Sequence, residues 1–253
     1  FLALAWGSII GGVGTILGGA RAPLALGFLH ELTGRQISFA GWAAASMPIV
    51  VVMLAVAWVV LRRTLKCDVD SIQAATRMLD ERVRRLGSMS GREWRLAVLG
   101  IATVVAWIFL GHDVGLGVIA VMSAALLFVF KIADWRQIQD YVNWGVLIMY
   151  GGAVALGTAI YRTNAFEWLV QQTLGDAKIP PLVILAMMAT AAIILTEGIS
   201  NSAAVAILLP IGYSLCETAS IDPITMTLAV TIPAGLAFSL PISSPPNAPV
   251  GGS

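Results

Sequence analysis

Charge is what this 253-residue chain has least of: 11% of it is Asp, Glu, Lys or Arg, against about a quarter in an ordinary soluble domain. Very little of it can face water. The 15 basic and 14 acidic residues leave a formal net charge of +1, so no overall field favours nucleic acid or acidic partners. Cysteine is almost missing. Cys67 and Cys216 are too few and too isolated for a disulfide framework, a zinc cluster or a CxxC redox pair, and each is expected to be a small buried apolar residue. The signatures of enzymes are missing as well: His30 and His112 stand far apart, and no HExxH, GxSxG or GK[ST] run occurs. Gly12, Gly14 and Gly18 are spaced GxGxxxG with no strand before them, which argues against a dinucleotide loop. The chain opens on Phe1 and closes on Ser253 without a start methionine, leader or charged tail, so a fragment cut at both ends is expected.

What is there is apolar, 58% of the residues, with a mean hydropathy of +0.87. A membrane helix needs about 20 such residues, and that test selects Gly41 to Leu61, Leu96 to Leu110, Val114 to Phe130, Trp144 to Ile160, and Leu182 to Ile194 running into a longer segment. Phe1 to Leu29 and Ile221 to Ser253 are just as apolar but are interrupted by glycine and proline clusters, the pattern of broken membrane helices. Nine of the basic residues, Arg62, Arg63, Lys66, Arg77, Arg82, Arg84, Arg85, Arg92 and Arg95, lie in one connector. By the positive-inside rule it is cytoplasmic. Within it Val69, Ile72, Ala75, Val83 and Leu86 recur at helical spacing opposite the arginines, which predicts an amphipathic helix lying along the membrane. Interleaved Asp68, Asp70, Asp80, Glu81 and Glu93 speak against nucleic acid. Crossings counted from there put Lys131, Asp134, Arg136 and Asp140 on a second cytoplasmic surface helix, and Arg162 to Lys178 outside. Trp58, Trp94, Trp107, Trp135, Trp144 and Trp168 fall near span ends, as interfacial anchors do.

Polar groups in hydrocarbon cost several kcal/mol each, so the few present carry information. Leu195-Thr-Glu-Gly-Ile-Ser-Asn-Ser-Ala203 interrupts an apolar segment that enters from outside. Such a segment folds as a re-entrant hairpin with its tip near mid-membrane, or as one kinked helix with its serines bonded back to its own carbonyls; the hairpin is expected. Glu197 is expected to partner another polar group at the tip rather than a ligand. A second cluster, Phe238 to Gly252, holds four prolines and Asn247 and predicts an unwound stretch. A half-helix that starts there favours an anion, and one that ends there favours a small cation. A first cluster, Ser8 to Pro23, can be laid on it with Gly18 on Ser243, Gly19 on Ser244 and Ala22 on Asn247. Paired broken segments of two half-repeats point to a transporter binding site.

Four runs together, Thr196-Glu197 with Ser200-Asn-Ser202, Ser244-Pro-Pro-Asn247, Gly11-Gly-Val-Gly-Thr15, and Trp144 to Gly152, resemble the divalent anion/sodium symporter family along nearly the whole chain. The family has Ser-Asn-Thr at each of two hairpin tips. The chain therefore resembles its scaffold helices and second hairpin, without the first hairpin and the last helix. The resemblance implies that Ser200, Asn201, Ser202 and Ser244 hold a substrate carboxylate. It implies that Thr196, the Ile199 carbonyl, Asn201 and the Ser243 carbonyl surround a sodium ion, with Asn201 presenting its oxygen to the cation and its NH2 to the anion. Ser202 stands where the family has threonine. In the first loop the family's Thr/Ser-Pro-Pro-Asn is replaced by Gly19-Ala-Arg-Ala22. Gly19 marks the matching substrate contact without its side chain, and Gly18 still offers a carbonyl to the other sodium site. Arg21 is an addition: an extra anion ligand, a tethered replacement for a sodium ion, or a snorkelling or paired structural arginine.

The expected fold is an all-α polytopic membrane protein, an inverted-repeat carrier with broken helices and a re-entrant hairpin. Its expected parts are a broken helix over 1–34, a membrane helix over 35–65, the connector over 66–93, scaffold helices over 94–178, the hairpin over 179–217 and a second broken helix over 218–253. The function expected is transport of a divalent anion, a C4-dicarboxylate, coupled to sodium by alternating access in the inner membrane. Sulfate or citrate transport, sodium-independent exchange and an ion channel are the alternatives. Expected partners are the small anion, the lipid bilayer and, by the resemblance, a second copy in a homodimer.

Overall fold

The structure, a computed structural model, describes residues 2–64, 76, 77, 80, 81, 83, 84, 87–139, 142, 144–165, 168, 172 and 179–238. Every regular element among them is helical: α1 Leu2–Val13, α2 Arg21–Thr33, α3 Phe39–Thr64, α4 Gly91–Phe109, α5 Leu116–Val129, α6 Trp135–Ile138, α7 Trp144–Arg162, α8 Pro181–Gly198, α9 Asn201–Ala219 and α10 Pro223–Thr231, with 3-10 turns at Ile16–Gly18 and Pro233–Gly235.

Local chemistry sets the helix ends. Ser90 and Glu93 form a reciprocal capping box at the start of α4, satisfying amides that have no intrahelical acceptor. Ser200 accepts from the Ala203 N–H at α9, and Asp222 accepts from the Thr225 N–H ahead of Pro223 at α10. Proline also opens α8 at Pro181, a position where its missing N–H costs nothing.

The chain divides into two compact units, one built from residues up to Trp58 and from Asn143 onward, the other from Val59 to Val142. In the first, α9 packs against α2, α7, α8 and α10. Its centre is apolar, with Phe28, Leu29, Leu209, Met226 and Val230 fully buried. Tyr213 joins them because its hydroxyl is satisfied, 2.7 Å from Thr227 Oγ1; a buried phenol needs such a partner. On α3, Trp42 Nε1 donates to the Val13 carbonyl at 3.3 Å, and buried Ser46 lies 3.0 Å from the Gly14 carbonyl. The glycine-rich loop between α1 and α2 is thus anchored at its start.

In the second unit α4 and α5 run antiparallel. Trp107 Nε1 reaches the Leu116 carbonyl, Thr103 Oγ1 reaches Ser123 Oγ, and Arg95 Nη1 reaches the Phe130 carbonyl. No α4 residue is buried within the chain, and Val98, Ile101, Val105 and Phe109 are exposed. So much exposed apolar surface belongs in lipid or against another protein surface.

Two helices, α3 and α8, meet both the length and the hydropathy of a membrane span among the described residues. The span expected over Val114 to Phe130 is a shorter helix of 14 residues, about 21 Å long against roughly 30 Å of hydrocarbon. Residues from Leu110 to Val114 form a turn instead. The surface helix expected after Lys131 is a single turn, Trp135–Ile138. Trp107, expected as an interfacial anchor, closes the α4–α5 connection. Most of the amphipathic connector, Cys67 included, and the whole of 239–253 lie outside the described residues.

Candidate functional site

Two breaks in apolar helices come together in the first unit. At the first, α1 stops at Val13, one 3-10 turn follows, and α2 starts at Arg21. The turn folds back so tightly that a Cβ at Gly18 would stand 1.7 Å from the Gly12 carbonyl oxygen. Only glycine fits there. At the second, α8 ends at Gly198, Ile199 and Ser200 are extended, and α9 starts at Asn201. Ser200 Oγ takes the Ala203 N–H at 3.2 Å. The first-turn N–H groups of Asn201 and Ser202 have no helical carbonyl to bond, which gives this end of α9 its affinity for negative charge.

Thr196 is completely buried on the last turn of α8. Its Oγ1 lies 2.5 Å from Asn201 Oδ1 and 2.9 Å from the Ala234 carbonyl oxygen. A hydroxyl has one proton, so of two acceptors only one is served at a time. Three oxygens with a single proton among them make an electron-rich cluster of the kind that suits a small cation. The Asn201 NH2 is left for another acceptor.

The Pro233–Gly235 turn, which supplies Ala234 to this cluster, also touches the first break. A Cβ at Gly235 would stand 2.4 Å from Cζ of Arg21, so the guanidinium lies against bare backbone. Arg21 Nη2 donates to the Gly12 carbonyl at 3.3 Å. Arg21 is 5% exposed. Gly19 packs beside Nη1. Thr196 and Arg21 therefore sit against adjacent residues of one turn.

Tyr150 on α7 makes the other link between the breaks. Its hydroxyl donates to the Ala20 carbonyl and lies 3.4 Å from Ser202 Oγ. Glu197 accepts the Phe238 N–H on Oε1 at 3.1 Å, a partner outside the 179–217 hairpin, and the Phe238 ring meets Trp6 edge-on at 5.7 Å.

Of the residues singled out from the sequence, Thr196, Ile199, Ser200, Asn201 and Ser202 lie at the second break, and Gly18, Gly19 and Arg21 at the first. Thr196 meets Asn201 directly, and Arg21 meets Gly19. Ser243 and Ser244 lie outside the described residues. Sequence reasoning missed the Ala234 carbonyl, the Gly235 backbone, the Gly12 carbonyl and the Tyr150 hydroxyl. Pro233-Ala-Gly235 at the end of an apolar helix is a turn signal, and Tyr150 lay inside the Trp144 to Gly152 run. Backbone contributions have no side-chain signature.

Comparison with known proteins gives the family. The family described as the sodium:sulfate symporter transmembrane region matches residues 1–253. The sodium-dependent dicarboxylate transporter SdcS of Staphylococcus saprophyticus is 30% identical over all of this chain and 52% of its own length. Its namesake in Staphylococcus aureus is 29% identical over the same shares. The chain spans about half the length of these curated relatives. Family and relatives are transporters rather than enzymes, and the chain belongs to the sodium:sulfate symporter family, the divalent anion/sodium symporters of the membrane.

Proposed function

We propose that this chain forms the second-hairpin part of a secondary active transporter that carries a divalent anion, a C4-dicarboxylate, together with sodium. The observation that carries the reading is the cluster of Thr196 Oγ1, Asn201 Oδ1 and the Ala234 carbonyl at the break between α8 and α9. Oxygen ligands without a buried carboxylate suit sodium, which gains several dipoles and leaves no stranded charge when it departs. By the family resemblance the Ile199 and Ser243 carbonyls belong to the same set, and the Gly18 carbonyl serves a second positive charge.

The substrate carboxylate lies on the other side of Asn201. The start of α9 offers it the hydroxyls of Ser200 and Ser202 and the N–H groups of the first turn; by the family resemblance Ser244 and the backbone at Gly19 are further contacts. Bound sodium lowers the cost of bringing an anion into the bilayer, and the Asn201 amide touches both. In this reading α8 and α9 form a re-entrant hairpin of an inverted repeat that moves between inward and outward positions. The carrier works as a homodimer in the inner membrane. The name of the relatives supports the dicarboxylate, and the family description supports sodium.

The test is uptake of labelled succinate, sulfate and citrate into proteoliposomes holding the full-length protein, with and without an inward sodium gradient. Sodium-dependent succinate uptake is expected. A preference for sulfate or citrate replaces the substrate part of the proposal, and exchange without sodium replaces the coupling part.

A further inference from the structure

Arg21 is a permanent charge in a place that gives it almost nothing in return. Its side chain is 5% exposed, its Nε is buried with no hydrogen-bond partner, and its one hydrogen bond among the described residues is to the Gly12 carbonyl, at 3.3 Å. No carboxylate among the described residues pairs with it; the ion pair recorded there joins Arg35 and Asp222. Burying a guanidinium this way is unfavourable unless something negative completes its surroundings, and arginine does not escape by losing its proton.

The cradle is specific. The Gly235 backbone lies against the guanidinium and Gly19 lies beside Nη1, so a side chain at 235 displaces it and one at 19 crowds it. Ala234, next to Gly235, belongs to the oxygen cluster of Thr196 and Asn201. Ala20, next to Arg21, is bonded to Tyr150, which also reaches Ser202. The charge is thus wired into both breaks.

We propose that Arg21 is a built-in counter-cation of the anion site: it supplies to a dianion one positive charge that a mobile sodium ion would otherwise bring. This rests on the carrier reading above. A dianion carries two negative charges. With one sodium at Thr196 and Asn201, the fixed guanidinium makes the loaded site neutral. Without Arg21 a further sodium must bind for the same neutrality, so transport becomes more steeply dependent on sodium.

The experiment compares wild type, Arg21→Lys and Arg21→Ala as purified full-length protein in proteoliposomes, titrating sodium at fixed labelled succinate. Arg21→Ala is expected to raise the half-saturating sodium concentration by roughly 5- to 150-fold, the ordinary range of coupling between two ligands, and to increase the Hill coefficient. Arg21→Lys keeps the charge and is expected to keep the wild-type Hill coefficient. Superimposable titrations for wild type and Arg21→Ala overturn the counter-cation while leaving sodium-coupled carriage intact; wild type that takes up no dianion overturns the carrier reading and this inference with it. A second measurement needs no variant. In choline buffer free of sodium, succinate is expected to raise the Tm of the wild-type protein, and uncharged dimethyl succinate is not. Equal shifts from both, or none from succinate, count against Arg21.

Discussion

Thr196 on the last turn of α8 and Asn201 on the first turn of α9 face each other across the helix break, Oγ1 to Oδ1 at 2.5 Å. The contact spans only five residues, yet it exists because Ile199 and Ser200 are extended and turn the chain between them. A continuous helix would hold these two side chains on its own surface, away from the Ala234 carbonyl.

Removing either partner has a distinct expected outcome. Asn201→Ala abolishes transport without altering membrane insertion, because the amide serves both ions; wild-type uptake in that variant rules out the site. Thr196→Val keeps the shape and removes the hydroxyl, leaving buried acceptors unserved. It costs about 1–3 kcal/mol of stability and raises the sodium requirement, measured by thermal unfolding and by sodium titration of uptake.

Tyr150→Phe deletes one oxygen and leaves the ring in place. The links to Ala20 and Ser202 are lost at a cost of about 0.5–1.5 kcal/mol, and KM for the anion rises while the maximal rate changes less. Tyr150→Leu, which also removes the ring, lowers both parameters. An unchanged KM in the phenylalanine variant separates Tyr150 from the site.

The capping box at α4 makes a prediction about pH. Hydrogen bonds from the Ser90 backbone N–H, then from its side chain, hold the Glu93 carboxyl below its ordinary range. A depressed carboxylate pKa means that the cap is complete above the unfolded value, about 4.3, and is lost as pH falls through the folded value. Ser90→Ala is expected to move the Glu93 titration upward, followed by carboxyl-carbon NMR of labelled protein in detergent. Ser90→Ala removes only the smaller of the two bonds, so an unmoved titration removes the Ser90 hydroxyl as a contributor and leaves the backbone N–H as the cause.

Topology is checked with the two cysteines. Cys216 is buried, whereas Cys67 belongs to the arginine-rich connector. A membrane-impermeant maleimide is expected to label Cys67 from the cytoplasmic side only and to leave Cys216 unmodified until the protein unfolds. Labelling of Cys67 from outside inverts the orientation.

The sequence by itself determined that the described elements are helical and where two breaks between them fall. Those features depend on local composition: an apolar stretch must be helical in lipid, and Gly18-Gly19 and Gly198-Ile-Ser200 weaken a helix where they stand. It also singled out Thr196, Asn201 and Arg21, because polar side chains in such surroundings are costly enough to stand out. What it left open was what they touch. The Ala234 carbonyl meets Thr196 across 38 residues and the Tyr150 hydroxyl meets Ala20 across 130, and neither a carbonyl nor a glycine surface announces itself in a string of letters. The burial of Arg21 followed from the close approach of Gly235. Local preference fixed the breaks, whereas the packing of α2, α7, α8 and α10 around α9 chose the atoms that meet there.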